Sequence, residues 1–148
     1  AKMWKNGVVT NLTDGTTSAF TESIFVDGDD IYVAGRINRV ATLWKNGVAQ
    51  ALSNETNSAA LSVLVSQGDV YIAGYEGSYN SVLWKNGEHI PLPDGRTAKS
   101  VFVYDNDVYV TGNGMIGRES TVLLWKNGVP TPIPGGSDGY GVFVVPKP

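Results

Sequence analysis

The sequence predicts an all-β fold built from about four copies of one repeat of about forty residues. Three signatures that recur in a fixed order lead to this prediction. The first is the tetrapeptide Trp-Lys-Asn-Gly, which occurs at residues 4–7, 44–47, 84–87 and 125–128, at intervals of 40, 40 and 41 residues. Self-similarity at such a period is typical of repeat architectures and decides the fold before any local pattern is considered.

The other two signatures are short apolar segments. Segments of the Ile-Tyr-Val-Ala-Gly type lie at 31–35, 70–74 and 108–112, and those of the Ser-Ile-Phe-Val type lie at 23–26, 62–65, 100–103 and 141–144. Val, Ile, Tyr and Phe favour the half-buried surface of a β-strand. No segment has the apolar period of a helix, so the whole repeat is predicted to be β.

Each repeat is predicted to form four strands, named A to D. Strand A is the Ser-Ile-Phe-Val segment, strand B is the Ile-Tyr-Val-Ala-Gly segment, strand C ends in Leu-Trp-Lys, and strand D follows Asn-Gly. The pairs Asn46-Gly47 and Asn86-Gly87 favour type I′ hairpin turns because both residues tolerate positive φ. Strands A and B are nearly continuous in apolar residues, which fits sheets covered on both faces.

Small sheets covered on both faces predict blades of a β-propeller, in a single domain over 1–148. Three complete blades are predicted at 19–53, 58–94 and 98–134. An incomplete blade would combine 1–14 with 138–148, taking strand C from Lys2–Lys5, strand D from Val8–Leu12 and strand A from Gly141–Val145, and it would lack strand B.

Two explanations fit the incomplete blade. The chain is the C-terminal part of a longer protein, or two chains associate to complete one ring of about eight blades. An open array would expose long apolar edges, which favour association. We therefore expect a closed or self-associated state.

The pattern resembles the four-stranded propeller repeats of the Kelch and WD40 kind, and it is similar to bacterial repeat proteins with Trp-Lys-Asn-Gly blades. The resemblance rests on the Ile-Tyr-Val-Ala-Gly strand and on the Trp of a later strand. The double glycine of Kelch repeats is missing, because Gly35 and Gly74 are followed by Arg36 and Tyr75. The resemblance therefore implies an architecture and not one function.

Composition narrows the classes of partner. The net charge is −3 and the pI is near 5.0, so nucleic acid is not an expected partner. No apolar run approaches the ~18 residues that span a membrane, so no membrane partner is expected. The absence of cysteine removes disulfides and thiolate metal sites. No cofactor is predicted.

The best place for a ligand is the face that carries the B–C and D–A loops, which vary between repeats. Binding residues concentrate on loops held by a rigid scaffold, and Arg and Tyr dominate binding hot spots. The alternative is that these are ordinary solvated loops. The predicted function is a non-catalytic binding or scaffold module for a protein or carbohydrate ligand, and the candidate residues are Arg36, Arg39, Tyr75, Tyr79, Arg118 and Tyr140.

The four tryptophans have two interpretations. They are packing residues between blades, or they are sugar-stacking platforms of a propeller lectin with one site per blade. We favour packing, because aromatic residues dominate core burial. The lysines beside them are interpreted as surface groups whose stems cover apolar surface. The residues concerned are Trp4, Trp44, Trp84 and Trp125.

Metal binding and catalysis lack a convincing pattern. Asp30, Asp69 and Asp107 recur, but their acidic neighbours do not, whereas calcium needs several oxygen ligands from one loop. Asp is also a standard turn residue. His89 is the single histidine and lies in a predicted strand D. No metal or catalytic residue is predicted, and a fragment of a propeller hydrolase is a second alternative function.

Overall fold

The structure, a computed structural model, describes residues 1–136 and 138–145. These residues form strands joined by turns and bends, with no helix among them. Accordingly, the described part of the chain contains no helix long and apolar enough to cross a membrane. The predicted all-β class is confirmed.

Four antiparallel sheets follow one another along the chain, each with its strands in sequence order. Sheet I contains β1 (Lys2–Lys5) and β2 (Val8–Asn11). Sheet II contains β3 (Ala19–Asp27), β4 (Asp30–Ile37), β5 (Val40–Lys45) and β6 (Val48–Ala51). Sheet III contains β7 (Ala59–Ser66), β8 (Asp69–Glu76), β9 (Asn80–Lys85) and β10 (Glu88–Pro91). Sheet IV contains β11 (Gly95–Tyr104), β12 (Asp107–Ile116), β13 (Glu119–Lys126) and β14 (Val129–Ile133). Sheets II to IV thus have strands A to D in order, and sheet I has strands C and D.

The Asn-Gly turns have the predicted backbone. Asn46 and Gly47 have φ of 51° and 84°, and Asn86 and Gly87 have φ of 53° and 85°. Positive φ at both central residues is what a type I′ turn requires. This turn sets the register of strands C and D, and Trp44 and Trp84 come to lie opposite Ala49 and His89.

A β-bulge recurs in strand A of each complete sheet. The register of β3 against β4 shifts between Thr21 and Ser23, and the same shift occurs after Ala60 in β7 and after Ala98 in β11. The bulge brings the carbonyl of Phe20 against the backbone of Gly35, where an added Cβ would collide with it. Strand B therefore needs glycine there, which explains the Ala-Gly end of its signature.

The core consists of three apolar layers, one between each pair of consecutive sheets. Strand β4 shows how one strand serves two layers. Ile31 and Val33 face sheet I, while Tyr32 and Ala34 face sheet III. Sheet III is accordingly covered on both faces, as the apolar strands predicted, whereas in sheet II the prediction is wrong for β3, where Ile24 and Val26 are exposed because no strand of the described chain lies against them.

Strands A of neighbouring sheets are linked by a repeated hydrogen bond. The N–H of Val63 donates to Ser23 Oγ at 3.2 Å, and the N–H of Val101 donates to Ser62 Oγ at 3.3 Å. These bonds join β3 to β7 and β7 to β11, so the A strands run close together.

The predicted strand A at Gly141–Val145 is wrong, because the structure has no strand there. The segment nevertheless lies beside strand A of sheet IV. The N–H of Val142 donates to Ser100 Oγ at 3.3 Å, and the ring of Phe143 packs on Phe102 with centroids 4.9 Å apart. Among the described residues it has no strand B beside it to complete a ladder. Residues 146–148 of the predicted incomplete blade lie outside the described residues, as does Ser137 of the D–A loop predicted at 136–140.

The B–C loops, which the sequence predicts at 36–39, 75–80 and 113–120, are also wrong in extent, because most of their residues belong to strands. The connections are the short turns Asn38-Arg39, Gly77–Tyr79 and Gly117-Arg118. The longest of the predicted loops became paired strand, since β12 and β13 continue their ladder to Ile116 and Glu119. Differences in length between repeats are therefore absorbed by strand length.

Candidate functional site

A polar cluster, here called the Asp clamp, closes one end of sheet II. Asp30 Oδ1 accepts a hydrogen bond from Asn46 Nδ2 at 2.7 Å, and Asp30 Oδ2 pairs with Lys45 Nζ at 2.8 Å. Asn46 Oδ1 in turn accepts the N–H of Ile31 at 2.9 Å. The clamp thus ties the start of strand B to the Asn-Gly turn between strands C and D.

The same clamp recurs in sheets III and IV, with Asp69, Lys85 and Asn86, and with Asp107, Lys126 and Asn127. Hydrogen bonding by the lysine, and then by the asparagine, lowers the pKa of each aspartate. The Asp30 carboxylate raises the pKa of Lys45 to about 12.

The clamp accounts for the aspartate that recurs in each complete repeat, and no calcium ion is needed to account for it. Both oxygens of Asp30 already bind Asn46 and Lys45. No cluster of three acidic or histidine side chains suited to a metal occurs in residues 1–136 and 138–145. The interpretation of the lysines as simple surface groups missed this pairing.

The tryptophans divide into two groups. Trp44, Trp84 and Trp125 are completely buried between sheets, whereas Trp4 is 66% exposed. Trp44 Nε1 donates to the carbonyl of Leu12 at 3.1 Å, in the loop that follows sheet I. The buried rings pack between sheets and have no free face for a sugar.

Three predicted ligand-binding residues meet at the opposite end of the sheets. Arg36, Arg39 and Tyr75 line one pocket of about 230 Å³ between sheets II and III. They come from β4, from the turn after it and from β8. The pocket is completed by Phe20, Asn57 and Ser58.

Hydrogen bonds and stacking hold the two arginines in place. The Arg36 guanidinium lies 4.8 Å from the centre of the Phe20 ring and 4.0 Å from the carboxylate of Glu22. Arg39 Nη2 donates to Asn57 Oδ1 at 3.1 Å. Asn57 Nδ2 donates to the carbonyl of Gly77 at 2.6 Å, so this asparagine links the B–C turns of the two sheets.

Two tyrosines form an aromatic platform at the pocket. The rings of Tyr75 and Tyr79 are stacked, with centroids 5.4 Å apart and an angle of 29° between planes. Tyr79 is 55% exposed, so the outer ring is open to solvent.

The backbone at this site is unusual. Arg39 and Tyr79 have φ of 68° and 70°, in the left-handed region. Every other residue with positive φ in the described chain is Gly, Asn, Asp or Gln. A side chain in this conformation costs roughly 1 kcal/mol. Arg and Tyr therefore occupy positions where glycine would fit the backbone better.

Two predicted residues lie away from the pocket. Arg118 is exposed in the turn between β12 and β13. Tyr140 lies after sheet IV, where Lys99 Nζ sits 4.0 Å from the centre of its ring. The sequence also gave no indication of Phe20 or Asn57, since a strand phenylalanine and a loop asparagine have many other uses.

The single histidine contacts a carboxylate. His89 Nε2 lies 2.9 Å from a carboxylate oxygen of Glu76, on the outer strand of sheet III, and its side chain is about half exposed. The pair links strand D to the end of strand B.

Comparison with known proteins gives no family model that matches the chain and no curated protein that matches it significantly. The functional argument therefore rests on the residues and their geometry.

Proposed function

We propose that this chain is a non-catalytic binding module that takes an anionic group of its ligand in the pocket between sheets II and III. The convergence of Arg36 and Arg39, from the β4–β5 hairpin of sheet II, with Tyr75 of sheet III carries the proposal. A guanidinium offers a fork of N–H donors that matches a carboxylate. Binding groups held by rigid strands and short turns lose little entropy when a ligand arrives.

The charge of the pocket favours an anion. Arg36 has a carboxylate at 4.0 Å, that of Glu22, whereas Arg39 has none within 4.0 Å among the described residues. The pocket therefore has a net positive charge in a chain whose net charge is −3. At about 230 Å³ it is smaller than the ~300 Å³ that a drug-sized ligand needs, so it suits one small group.

The backbone of the turns supports a role in binding. A residue held in a sparsely populated conformation is a reason to suspect function when packing alone does not call for it. Arg39 and Tyr79 occupy such positions, where glycine would relieve the backbone. What their side chains contribute at the pocket offsets this cost.

We infer that sheets II to IV are blades of a propeller-type array. The hydrogen bonds from Ser23 Oγ to Val63 and from Ser62 Oγ to Val101 bring the A strands together, as expected if these strands surround an axis. The apolar layer between each pair of sheets supports the same arrangement. In such an array the pocket lies on the face that carries the B–C and D–A turns.

Carbohydrate binding is the second candidate, and the stacked Tyr75–Tyr79 platform favours it. A sugar ring can stack on an exposed tyrosine while its acidic group meets an arginine. A lectin with one equivalent tryptophan site per blade is not supported, because Trp44, Trp84 and Trp125 are buried. The hydrolase alternative has only the contact between the half-exposed His89 and Glu76 in its favour.

Three probes test the proposal by calorimetric titration: glucuronate, glucose and N-acetyl-aspartyl amide. Glucuronate and glucose differ by one carboxylate, and the third probe carries a carboxylate without a sugar. Anion recognition predicts binding of both carboxylates and not of glucose. Binding of both sugars alone would replace the proposal with the carbohydrate candidate. No binding of any probe at millimolar concentration would refute both.

Substituting Arg39 by glycine separates binding from folding. Because the φ of Arg39 is 68°, Arg39→Gly relieves the backbone and is expected to leave the free energy of unfolding unchanged or to raise it by up to about 1 kcal/mol. The same variant should lose binding of the carboxylates. Arg118→Gln is the matched control, since it removes an exposed turn arginine outside the pocket and should bind as the parent chain does.

A further inference from the structure

A second pocket lies between sheets II and III, at the clamp end and therefore at the opposite end from the pocket proposed above for an anion. It has a volume of about 260 Å³. Its floor is apolar, with Leu43 and Leu52 on the side of sheet II and Val70 and Ile72 on the side of sheet III. A concave site with an apolar floor and a few polar groups at its rim has the form of a ligand pocket.

The equivalent cleft between sheets III and IV is filled by a side chain of the protein itself. Ile90 lies opposite Leu83 in sheet III, as Gln50 lies opposite Leu43 in sheet II. Ile90 is half-buried and packs against the apolar layer between sheets III and IV. Gln50 is exposed and lines the second pocket. The cleft between sheets II and III therefore lacks the branched aliphatic group that fills its neighbour.

The A–B turns at the mouth of the two clefts differ in the same direction. Gln67 Nε2 of sheet III donates to Asn106 Oδ1 of sheet IV at 3.1 Å, which joins the turns across the III–IV junction. The equivalent positions of the II–III junction, counted back from the clamp aspartates, are Gly28 and Gly68, which have no side chain to form a bridge. The pocket that remains between sheets III and IV has about 150 Å³ and does not reach Leu83. The II–III cleft is thus both unfilled and unbridged.

Gln50 supplies the polar group that a ligand would meet at the rim. Its Nε2 lies 3.7 Å from the position that a Cβ on Gly87 would take, so the side chain reaches across the cleft to the C–D turn of sheet III. A primary amide has two donors and an acceptor, which match the C=O and N–H of a peptide group. The other polar side chains of the lining, those of Tyr32, Lys45 and Asn86, bind the clamp aspartates.

We propose that the cleft between sheets II and III at the clamp end binds an isoleucine, or a similarly branched aliphatic residue, of a partner polypeptide, with a peptide group of that residue bonded to Gln50. The III–IV junction argues for this occupant, because the equivalent space there holds Ile90. Burial of the aliphatic group supplies the affinity, and the amide of Gln50 orients the peptide. This site is independent of the anion pocket at the other end of the sheets.

N-acetyl-isoleucine N-methylamide is the probe, because it carries the side chain and two peptide groups without a charge. Titration of the intact chain is followed by nuclear magnetic resonance of the methyl groups of Leu52, Val70 and Ile72 and of the side-chain amide of Gln50. We expect saturable changes of chemical shift at these four residues. N-acetyl-alanine N-methylamide, which lacks the branched group, should cause none over the same millimolar range.

Three outcomes of the titration would overturn the proposal. The first is an equal response to the isoleucine and alanine probes, or none to either. The second is equal binding of isopentyl alcohol, which has a branched chain without a peptide group and would replace the polypeptide by a small aliphatic molecule. The third is a set of shift changes at the same residues that depends on the concentration of the chain alone, which would favour self-association.

Two substitutions of Gln50 separate the roles of the cleft and of the amide. Gln50→Ile should fill the cleft as Ile90 fills its neighbour, abolish binding of the probe and raise the thermal midpoint. Gln50→Ala leaves the cleft open and should weaken binding about fivefold, as expected for the loss of one ordinary hydrogen bond. Thr10→Ile is the matched control, since it adds the same side chain at the equivalent exposed position of sheet I and should leave binding unchanged. Undiminished binding by Gln50→Ile would contradict the proposal.

The reverse change opens the closed junction. Ile90→Ala combined with Gln67→Gly removes the filling side chain and the bridge between sheets III and IV, and glycine suits the φ of 53° at Gln67. The folded double variant should bind two molecules of the probe, with new shift changes at Val108 and Val110, the equivalents of Val70 and Ile72. A single bound molecule in a variant that melts cooperatively would refute the argument from Ile90. The Gln50 variants test the proposal even where this double variant does not fold.

Discussion

The junction between sheets II and III and the edge where sheet I meets β3 are built from equivalent residues, yet they differ in burial. Val63 and Val65 are 5% and 8% exposed, while Ile24 and Val26 at the same positions of β3 are each 55% exposed. The apolar pattern is the same in both strands. The comparison teaches that a sheet of this chain has no core of its own, and that burial comes from strands A and B of the preceding sheet.

The largest expected effect comes from truncating one tryptophan in each of the two regions. Trp84→Ala removes a completely buried ring and should lower the free energy of unfolding by about 3–5 kcal/mol. Trp4→Ala removes an exposed ring and should change it by less than about 0.5 kcal/mol. Urea unfolding followed by circular dichroism measures both. Equal losses would mean that Trp4 is buried in solution.

Glycine substitutions extend the test to the bulge. A Cβ on Gly74 would collide with the carbonyl of Ala59 and press on Trp84, so Gly74→Ala should destabilise the chain by about 1–3 kcal/mol. A Cβ on Gly141 has open space around it, and Gly141→Ala should be neutral. Thermal unfolding of the two variants gives the comparison. A tolerated Gly74→Ala would show that the bulge can shift.

The serine bonds are expected to contribute less. Ser62→Ala leaves the N–H of Val101 without its acceptor and should cost about 1 kcal/mol, the value of an ordinary hydrogen bond. Ser78→Ala, in an exposed turn, is the control and should have no effect. Hydrogen exchange of the Val101 amide provides a local measurement. Unchanged protection of that amide in Ser62→Ala would show that the bond is not needed.

The smallest expected effect concerns the clamps and depends on pH. The pKa of Asp69 is lowered in the folded chain, mainly by Lys85. The ionised Asp69 therefore stabilises the folded chain at a pH above the ordinary aspartate pKa of about 3.9. This stabilisation is lost as the pH falls through the lowered pKa of the folded chain. Lys85→Met should lower the thermal midpoint at pH 7. Between pH 5 and pH 2 the thermal midpoint of this variant should decrease less than that of the parent chain.

Lys5→Met is the matched control for that experiment. Lys5 has the same place in sheet I without an aspartate, so its removal should leave the midpoint and its pH dependence unchanged. A fall in the midpoint as large as that of Lys85→Met would show that Lys5 has a partner in solution.

The fold class and the order of strands could be predicted because the information is local and repeated. Four copies of Trp-Lys-Asn-Gly fix where each C–D turn falls, and positive φ at Asn46 and Gly47 follows from the residue types alone. The bulge was not predicted, since it shows only as one extra residue between two apolar positions. The glycine that ends each strand B was its one visible trace.

The candidate site was predicted in part. Arg36, Arg39 and Tyr75 were chosen for their residue types and proved to share a pocket, while Arg118 did not join them. The role of Asn57 could not be predicted, because it depends on contacts with turns 18 and 20 residues away. The clamp left a trace that was overlooked: each strand B is preceded by Asp and has Tyr two residues later, as Asp30 and Tyr32 do.

Four of the bonds that link neighbouring sheets point the same way along the chain, whereas Gln67 of sheet III donates in the opposite direction to Asn106 of sheet IV. Trp44 donates to a carbonyl of the sheet before it, Trp125 does the same through Pro93, and Val63 and Val101 bond serines of the preceding strand A. A polypeptide leaves the ribosome from its amino terminus, so the acceptor of each of these four bonds is synthesised before its donor. For these four contacts, each repeat can therefore dock on the preceding one as soon as it has been translated.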